Sequence, residues 1–465
     1  MGKQYEDTGR LSTDLLDKPL PDPPIRNPHL PLHAKIPCGK ARSRLIETSM
    51  NPYLLTVLIL LIGFTFFHIW IHALNLTALH PQIPDEFKGV YDEDTYAKSQ
   101  TYLKENTRVD LFTSLIKTTA LLAFILLGGF AMLYQYAKGL TESMIVQGLI
   151  FAGLLLFIST LWSLPFQIYD TFVIEEKYGF NKTTPKTFLL DQVKGLLLGI
   201  LIGAPLFAAL IYFFEAAGGN AWWICWGVVT LLQLILLYIA PVVILPLFNK
   251  FEPLEEGELK SSLERYAKDQ GFHLSGLFKI DGSKRSTRAN AYFTGFGKNR
   301  RIALYDTLLE NHTVDELVAI LAHEVGHAKC KHIHKQLAIG ILSTGFLFWM
   351  LSKFIGQAGL YEAFGLPGES PLPLYAGLIF FSFLYTPIST LLSILTSMLS
   401  RKFEYEADAF AVKTTHDTKA LIQGLKKLSV DNLSNLTPHP WLVFLEYSHP
   451  PVLQRIHAMR SLDPT

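Results

Sequence analysis

The sequence predicts an all-α integral membrane protein, seven transmembrane helices interrupted by one small α+β insert. Two observations carry this. First, 49% of the 465 residues are apolar, only 17% are charged and the mean hydropathy is +0.26, too oily for an ordinary water-soluble domain. Second, seven runs approach the ~20 apolar residues that a bilayer-crossing helix needs. They are Tyr53–Leu76, Leu111–Tyr134, Ile145–Leu164, Gly195–Phe214, Ala221–Leu247, Leu337–Ile355 and Tyr375–Leu399.

The first run is too long, and too far from the N-terminus, for a cleavable signal peptide. The net charge of +1 lacks the basic excess of a nucleic-acid binder, so no nucleic-acid partner is expected. Cys38, Cys225 and Cys330 are scattered, which excludes a disulfide framework and a thiolate metal cage.

Loop charges set the orientation. Loops after the first, third and fifth runs are rich in Lys and Arg; those after the second, fourth and sixth carry almost none beyond Lys138 and Lys353. The positive-inside rule then places the insert and the C-terminus in the cytoplasm and the N-terminus outside. The polar, Pro-rich leader Met1–Ser49 conflicts with this, because it ends in a basic patch (Lys35, Lys40, Arg42, Arg44). Either the leader is translocated despite its charge, or translation starts at Met50, which removes the conflict. In both readings the leader is expected to be disordered.

Between the fifth and sixth runs, EEGELKSSLERYAKDQGF reads as an amphipathic helix ended by Gly271. LFKIDGSKRS and NAYFTGFGKNRRIALYDTLL read as short strands separated by turns. TVDELVAILAHEVGHAKCKHIHK is a helix with Thr313 as N-cap and acids in its first turn.

That last helix carries the chemistry. His323 and His327 are four apart, so both project from one face and can reach one Zn2+ at ~2.0–2.1 Å. Glu324 follows the first histidine and can take a proton from a water that zinc has acidified, the arrangement for hydrolysing a peptide bond. One zinc per chain needs a third ligand. The metzincin position, six residues after His327, is Ile333, and a thermolysin-like glutamate would fall inside the sixth run, which has no acid. Beyond the seventh run lies SRKFEYEADAFAVK, where Glu404 and Asp408 share one helical face and Glu406 points elsewhere. Glu404 is the expected third ligand. Asp408 is the expected acceptor for the other ring nitrogen of a ligand histidine. Cys330, His332 and His334 read not as ligands but as polar residues near a basic helix end, either on the surface or supporting the ligands from behind. His68 and His72, in the first run, read as a structural or lipid-facing pair with no acid beside them.

These residues resemble the type I CAAX prenyl endopeptidases, integral-membrane zinc metalloproteases of the gluzincin kind. HEVGH and FEYEADAFA carry the likeness, together with Ser163–Phe188, Leu247–Lys260, Asp281–Phe296, Arg301–Glu310 and Tyr447–Ile456. It runs from about Asn51 to the C-terminus. The resemblance implies a barrel of seven membrane helices around a water-filled chamber, capped on the cytoplasmic side by the gluzincin-like zinc domain. It implies that Asn290, Ala291 and Tyr292 form an edge strand that pairs with the substrate backbone. It also implies that His449 steadies the oxyanion, with Arg455 a supporting arginine nearby. Expected partners are the lipid bilayer and peptide or protein substrates, prenylated or membrane-inserted ones among them.

Two departures stand out. The link between the strands and the zinc helix is only ENHTVDE, and Ala328 stands where many relatives have an aromatic residue. This compact form resembles bacterial relatives and points to a bacterial inner membrane, with the endoplasmic reticulum membrane as the eukaryotic alternative. The domains expected are the leader (1–49), helices one to five (50–247), the zinc insert (248–336), helices six and seven (337–400) and C-terminal cytoplasmic helices with the third ligand (401–465). CAAX-type processing competes with lipid-independent quality control of membrane proteins and with a non-catalytic scaffold. The general base Glu324 argues against the scaffold.

Overall fold

Asn51 starts the first helix: its side-chain oxygen accepts from the amides of Tyr53 and Leu54, and Pro52 sits where its missing N–H costs nothing. A computed structural model of the chain describes residues 51–294 and 301–462. The expectations for the leader and for Met50 lie outside these residues, as does the turn between the two strands of NAYFTGFGKNRRIALY.

Six stretches of the described residues are long and apolar enough to cross a membrane. They include α1 (Pro52–Thr77) and α2 (Glu93–Leu126), which is followed by the short α3 (Gly129–Leu140). Next come α4 (Met144–Tyr169), α5 (Pro185–Ala217) and α6 (Trp222–Ile239). The helix α4 continues as a π turn through Asp170–Glu175, and α6 continues through Ala240–Ile244, where Pro241 removes one ladder donor.

The second apolar run straddled a break. The helix starts at Glu93, well before Leu111, and stops at Leu126; Gly128 takes φ 76°, which only glycine adopts readily. Hydropathy cannot see the polar half of α2, which Asp92 caps by accepting from Thr95 N–H at 2.8 Å. The fourth and fifth runs fall in one stretch, Pro185–Phe248. At 64 residues it is ~96 Å long if straight, about three bilayer cores, and it breaks at Gly218–Ala221.

The segment after α6 folds around a four-stranded sheet: β1 (Phe251–Pro253), then α7 (Glu258–Asp269), β2 (Gly276–Ile280), β3 (Ala291–Thr294) and β4 (Arg301–Tyr305). The strand order is β1-β2-β4-β3, with β2 and β4 parallel and the other pairs antiparallel, so β3 lies at an edge. Sequence reading missed β1, a strand too short to show alternation.

After the sheet come α8 (Val314–Lys329), α9 (His332–Phe354) and α10 (Leu374–Thr415), then α11 (Thr418–Asp431) and α12 (Val452–Leu462). Thr313 and Glu316 form a reciprocal capping box at the start of α8. Leu317, Leu321 and Val325 of α8 are buried in a core shared with Leu277, Ile302 and Ala411. The helix α10 is continuous, so Glu404 and Asp408 ride on the extension of the last apolar stretch and not on a separate element.

Candidate metal centre

The approach of α8 to α10 depends on one missing side chain. A Cβ on Gly326 would sit 3.0 Å from the Ala407 backbone. Glycine lets the two helices close, at a cost of about 1 kcal/mol relative to alanine in the helix. The closure brings His323 and His327 of α8 against Glu404 of α10.

The donor atoms converge. His323 Nε2 and His327 Nε2 are 3.1 Å apart, and they lie 3.4 and 3.3 Å from Oε2 and Oε1 of Glu404. A tetrahedral ion with arms of ~2.0–2.1 Å spaces its ligands by about 3.4 Å. Glu404 Oε2 is buried and makes no hydrogen bond among the described residues. Converging lone pairs around a buried carboxylate oxygen that makes no hydrogen bond, with only the Arg455 guanidinium 3.4 Å away as a countercharge, fit a metal ion.

Asp408, one turn after Glu404, meets the other side of His323, with Oδ1 2.8 Å from Nδ1. Arg455 of α12 donates to both Asp408 oxygens, from Nε at 2.8 Å and from Nη2 at 2.6 Å, and its Nη1 is 3.4 Å from Glu404. Burial opposes charge on His323, but the hydrogen bond to Asp408 and the nearby Glu404 carboxylate outweigh it and raise the imidazole above its ordinary value. Burial likewise opposes charge on Arg455, and the adjoining Asp408 and Glu404 carboxylates more than restore it.

The remaining predicted residues divide. A cleft of about 390 Å³ is lined by Asn290, Ala291, Glu324, His449 and Arg455 together with the three converging side chains. Tyr292 is not among its lining residues; its ring faces Tyr305 at 6.2 Å. The Glu324 carboxylate makes no hydrogen bond or ion pair among the described residues. His449 is 64% exposed, with Nε2 3.4 Å from Glu404 Oε1 and Nδ1 2.9 Å from Ser448 Oγ. A larger hollow, about 680 Å³, lies between α7 and β2. It gathers no trio of metal-capable side chains among the described residues, so the donor set and not the size assigns the site.

Two sequence blocks far apart in the chain anchor the strand at this cleft. Arg285 pairs with both oxygens of Asp191 (2.8 and 3.0 Å), and Arg288 Nη2 reaches both oxygens of Glu175 (3.0 and 3.1 Å). Asn432, the C-cap of α11, then clamps Ala289 through its N–H and its carbonyl, each at 3.1 Å.

Sequence reasoning missed four features. The lone glycine inside a good helix was a usable signal for Gly326. His332 is buried, with Nδ1 3.0 Å from His327 Nδ1. Its spacing hid this, because the chain reverses at Lys331 (φ 59°) between α8 and α9. Glu406 reaches His332 Nε2 at 3.0 Å. His68 and His72 do have acids beside them, Asp110 at 3.6 Å and Glu446 at 3.3 Å, supplied by distant elements that periodicity cannot foresee.

A histidine-pair helix, a carboxylate from a membrane-length helix and a further acid, Glu324, in the cleft define an integral-membrane metalloendopeptidase. Comparison with known proteins narrows the class. Residues 72–250 match the CAAX prenyl protease N-terminal family, described as five membrane helices, and residues 253–463 match peptidase family M48. The chain is 37% identical to the CAAX prenyl protease 1 homolog of Oryza sativa subsp. japonica, over 89% of this chain and 98% of that protein. It is 34% identical to the Saccharomyces cerevisiae CAAX prenyl protease 1, over 83% and 89% of the two chains. The crystal structure of S. mikatae Ste24p superposes with a TM-score of 0.82 at 33% identity, over 88% of this chain and 99% of that one. The chain belongs to peptidase family M48, in its CAAX prenyl protease branch. Near full-length matches to plant and yeast proteins overturn the compact, bacterial-like reading: a short link before α8 and Ala328 are local differences within a chain that aligns almost end to end with eukaryotic relatives.

Proposed function

We propose that this chain is a zinc endopeptidase that cuts near the C-terminus of prenylated, CAAX-type substrates. One observation carries the site: His323, His327 and the buried Glu404 carboxylate converge at ligand spacing in a cleft bounded by an edge strand. His323, His327 and Glu404 would hold one Zn2+. Bound there, zinc would acidify a water molecule and polarise the scissile carbonyl.

The protein's own groups do the rest. Glu324, which makes no hydrogen bond or ion pair among the described residues, takes a proton from water as the water oxygen bonds to the carbonyl carbon. When the C–N bond breaks, Glu324 returns that proton to the departing nitrogen. His449 faces the same cleft and donates to the developing oxyanion. Asp408, held by Arg455, fixes the orientation of His323. The resemblance made Arg455 a neighbour of the oxyanion residue; its bonds to Asp408 give it this supporting task as well. The main chain at Asn290, Ala291 and Tyr292 receives the substrate as an added strand.

The membrane part follows the same reading. We count Pro185–Phe248 as two passes, which makes seven. In the most apolar window of each stretch only 6–17% of residues are buried, too few for a close-packed bundle, and this supports a ring of helices around a chamber. The domain limits stay as read from the sequence, with the zinc insert and C-terminus cytoplasmic. Eukaryotic relatives favour the endoplasmic reticulum membrane over a bacterial one. The test is mass spectrometry on detergent-purified protein with matched peptides, one farnesylated and one not. Cleavage of the farnesylated peptide alone is expected, with turnover lowered about 10²–10⁴-fold in Glu324→Gln while its metal content is kept. Equal cleavage of both peptides would replace CAAX processing with lipid-independent quality control; undiminished cleavage by Glu324→Gln would remove the mechanism.

A further inference from the structure

The two ligand histidines are supported differently. Each turns Nε2 toward the trio and Nδ1 away from it. On His323 the outward nitrogen meets Asp408 directly, at 2.8 Å. On His327 it meets another imidazole, His332, at 3.0 Å between the two Nδ1 atoms. The far nitrogen of His332 lies 3.0 Å from Glu406 Oε2. Phe403 stacks on the His332 ring, 4.2 Å between centroids and 11° from parallel, and the residue is only 1% exposed. Lys335 and Lys402 flank Glu406 at 3.7 and 3.8 Å.

We propose that His332 is a positioning residue for the metal centre, acting through His327 and itself oriented by Glu406 and Phe403. The proposal rests on the reading of His327 as a metal ligand. The proton placement is then determined. With its Nε2 lone pair turned to the metal, His327 carries its proton on Nδ1 and donates it to His332 Nδ1. His332 must accept there, so its own proton sits on Nε2 and goes to the Glu406 carboxylate. Both nitrogens of His332 are thereby used. It could not ligate an ion held by His327 Nε2, because His332 lies against the other ring nitrogen, Nδ1. Nor can it join Cys330 and Glu406 as a second metal site, although their donor atoms lie within 4.8 Å of one another.

The arrangement also suits the charge of the site. Glu404, Asp408 and Glu324 already face Arg455 as the one buried guanidinium nearby. A neutral imidazole relays to Glu406, which has lysines of its own, and so orients His327 without adding a further carboxylate against the ligands.

The test uses full-length protein in detergent and four variants. His332→Phe keeps the ring on Phe403 but cannot accept a hydrogen bond. Glu406→Gln keeps an acceptor for the His332 proton and Glu406→Leu removes it. His327→Ala reports whether His327 ligates at all. Zn2+ affinity is measured by competition with a chelator, and the Co2+-substituted protein by its visible absorption bands. His332→Phe is expected to lose about 10–100-fold in affinity, as outer partners of metal ligands do, with a shifted cobalt spectrum. Glu406→Leu should change both readouts in the same direction and Glu406→Gln should restore them. Wild-type affinity and spectrum in His332→Phe would overturn the proposal, as would equal effects of Gln and Leu at 406. Should His332→Phe fail to fold, the Glu406 pair decides alone. Full metal binding by His327→Ala would instead remove the ligand assignment itself, and the positioning role with it.

Discussion

Around α8 the apolar side chains are almost all buried, whereas in the membrane-length stretches only 6–17% of each window is. Leu321, on the face of α8 that packs into the sheet domain, is 1% exposed; Leu201, in the middle of α5, is 71% exposed. The difference teaches where the geometry of the site comes from. Its donor atoms sit within a few tenths of an ångström of ligand spacing because they stand on helices locked by close packing. The membrane helices border lipid and, on our reading, water, and a border of that kind tolerates changes of shape.

Four substitutions test this contrast, in descending order of effect. Glu404→Ala should be the most damaging, because it removes a donor that no neighbour replaces. We expect Zn2+ to be lost on dialysis and cleavage with it; a variant that keeps full zinc occupancy would mean that another residue is the third ligand. Leu321→Ala should cost about 2–5 kcal/mol, read as a lowered Tm in detergent. Gly326→Ala forces the α8–α10 contact apart and should cost about 1–3 kcal/mol. It should also weaken metal binding, since the proposed ligands lie on either side of that contact; a lower Tm with unchanged zinc affinity would separate packing from site geometry. Leu201→Ala should change Tm by no more than about 0.5 kcal/mol equivalent. A loss as large as that of Leu321→Ala would mean that α5 packs more tightly than its exposure indicates.

Legibility followed the same division. The helix start at Thr313, the histidines four apart and the acids four apart each depend on neighbours within one or two turns, and the structure brings together what those spacings suggested. The stop at Gly271 and the edge position of β3 were likewise accessible, one from local turn chemistry and the other from resemblance. Helix limits in polar sequence were not. Glu93–Asp110 of α2 is helical because Asp92 caps it and Tyr96 packs into the sheet-domain core, not because it is apolar. Nor could spacing show that α10 runs unbroken from the membrane to Thr415.

By itself, therefore, the sequence determined the membrane class, the helix that bears His323, Glu324 and His327, and the acids able to complete a zinc site, since hydropathy, capping and helical periodicity are local properties of a chain. Only the tertiary structure decided how those pieces are supported. It set Arg455 behind Asp408, put His332 and Glu406 behind His327, and drew α8 onto α10 at Gly326. Each of these is a contact between elements, governed by which side chains fit when two helices meet, and no periodicity along the chain encodes it.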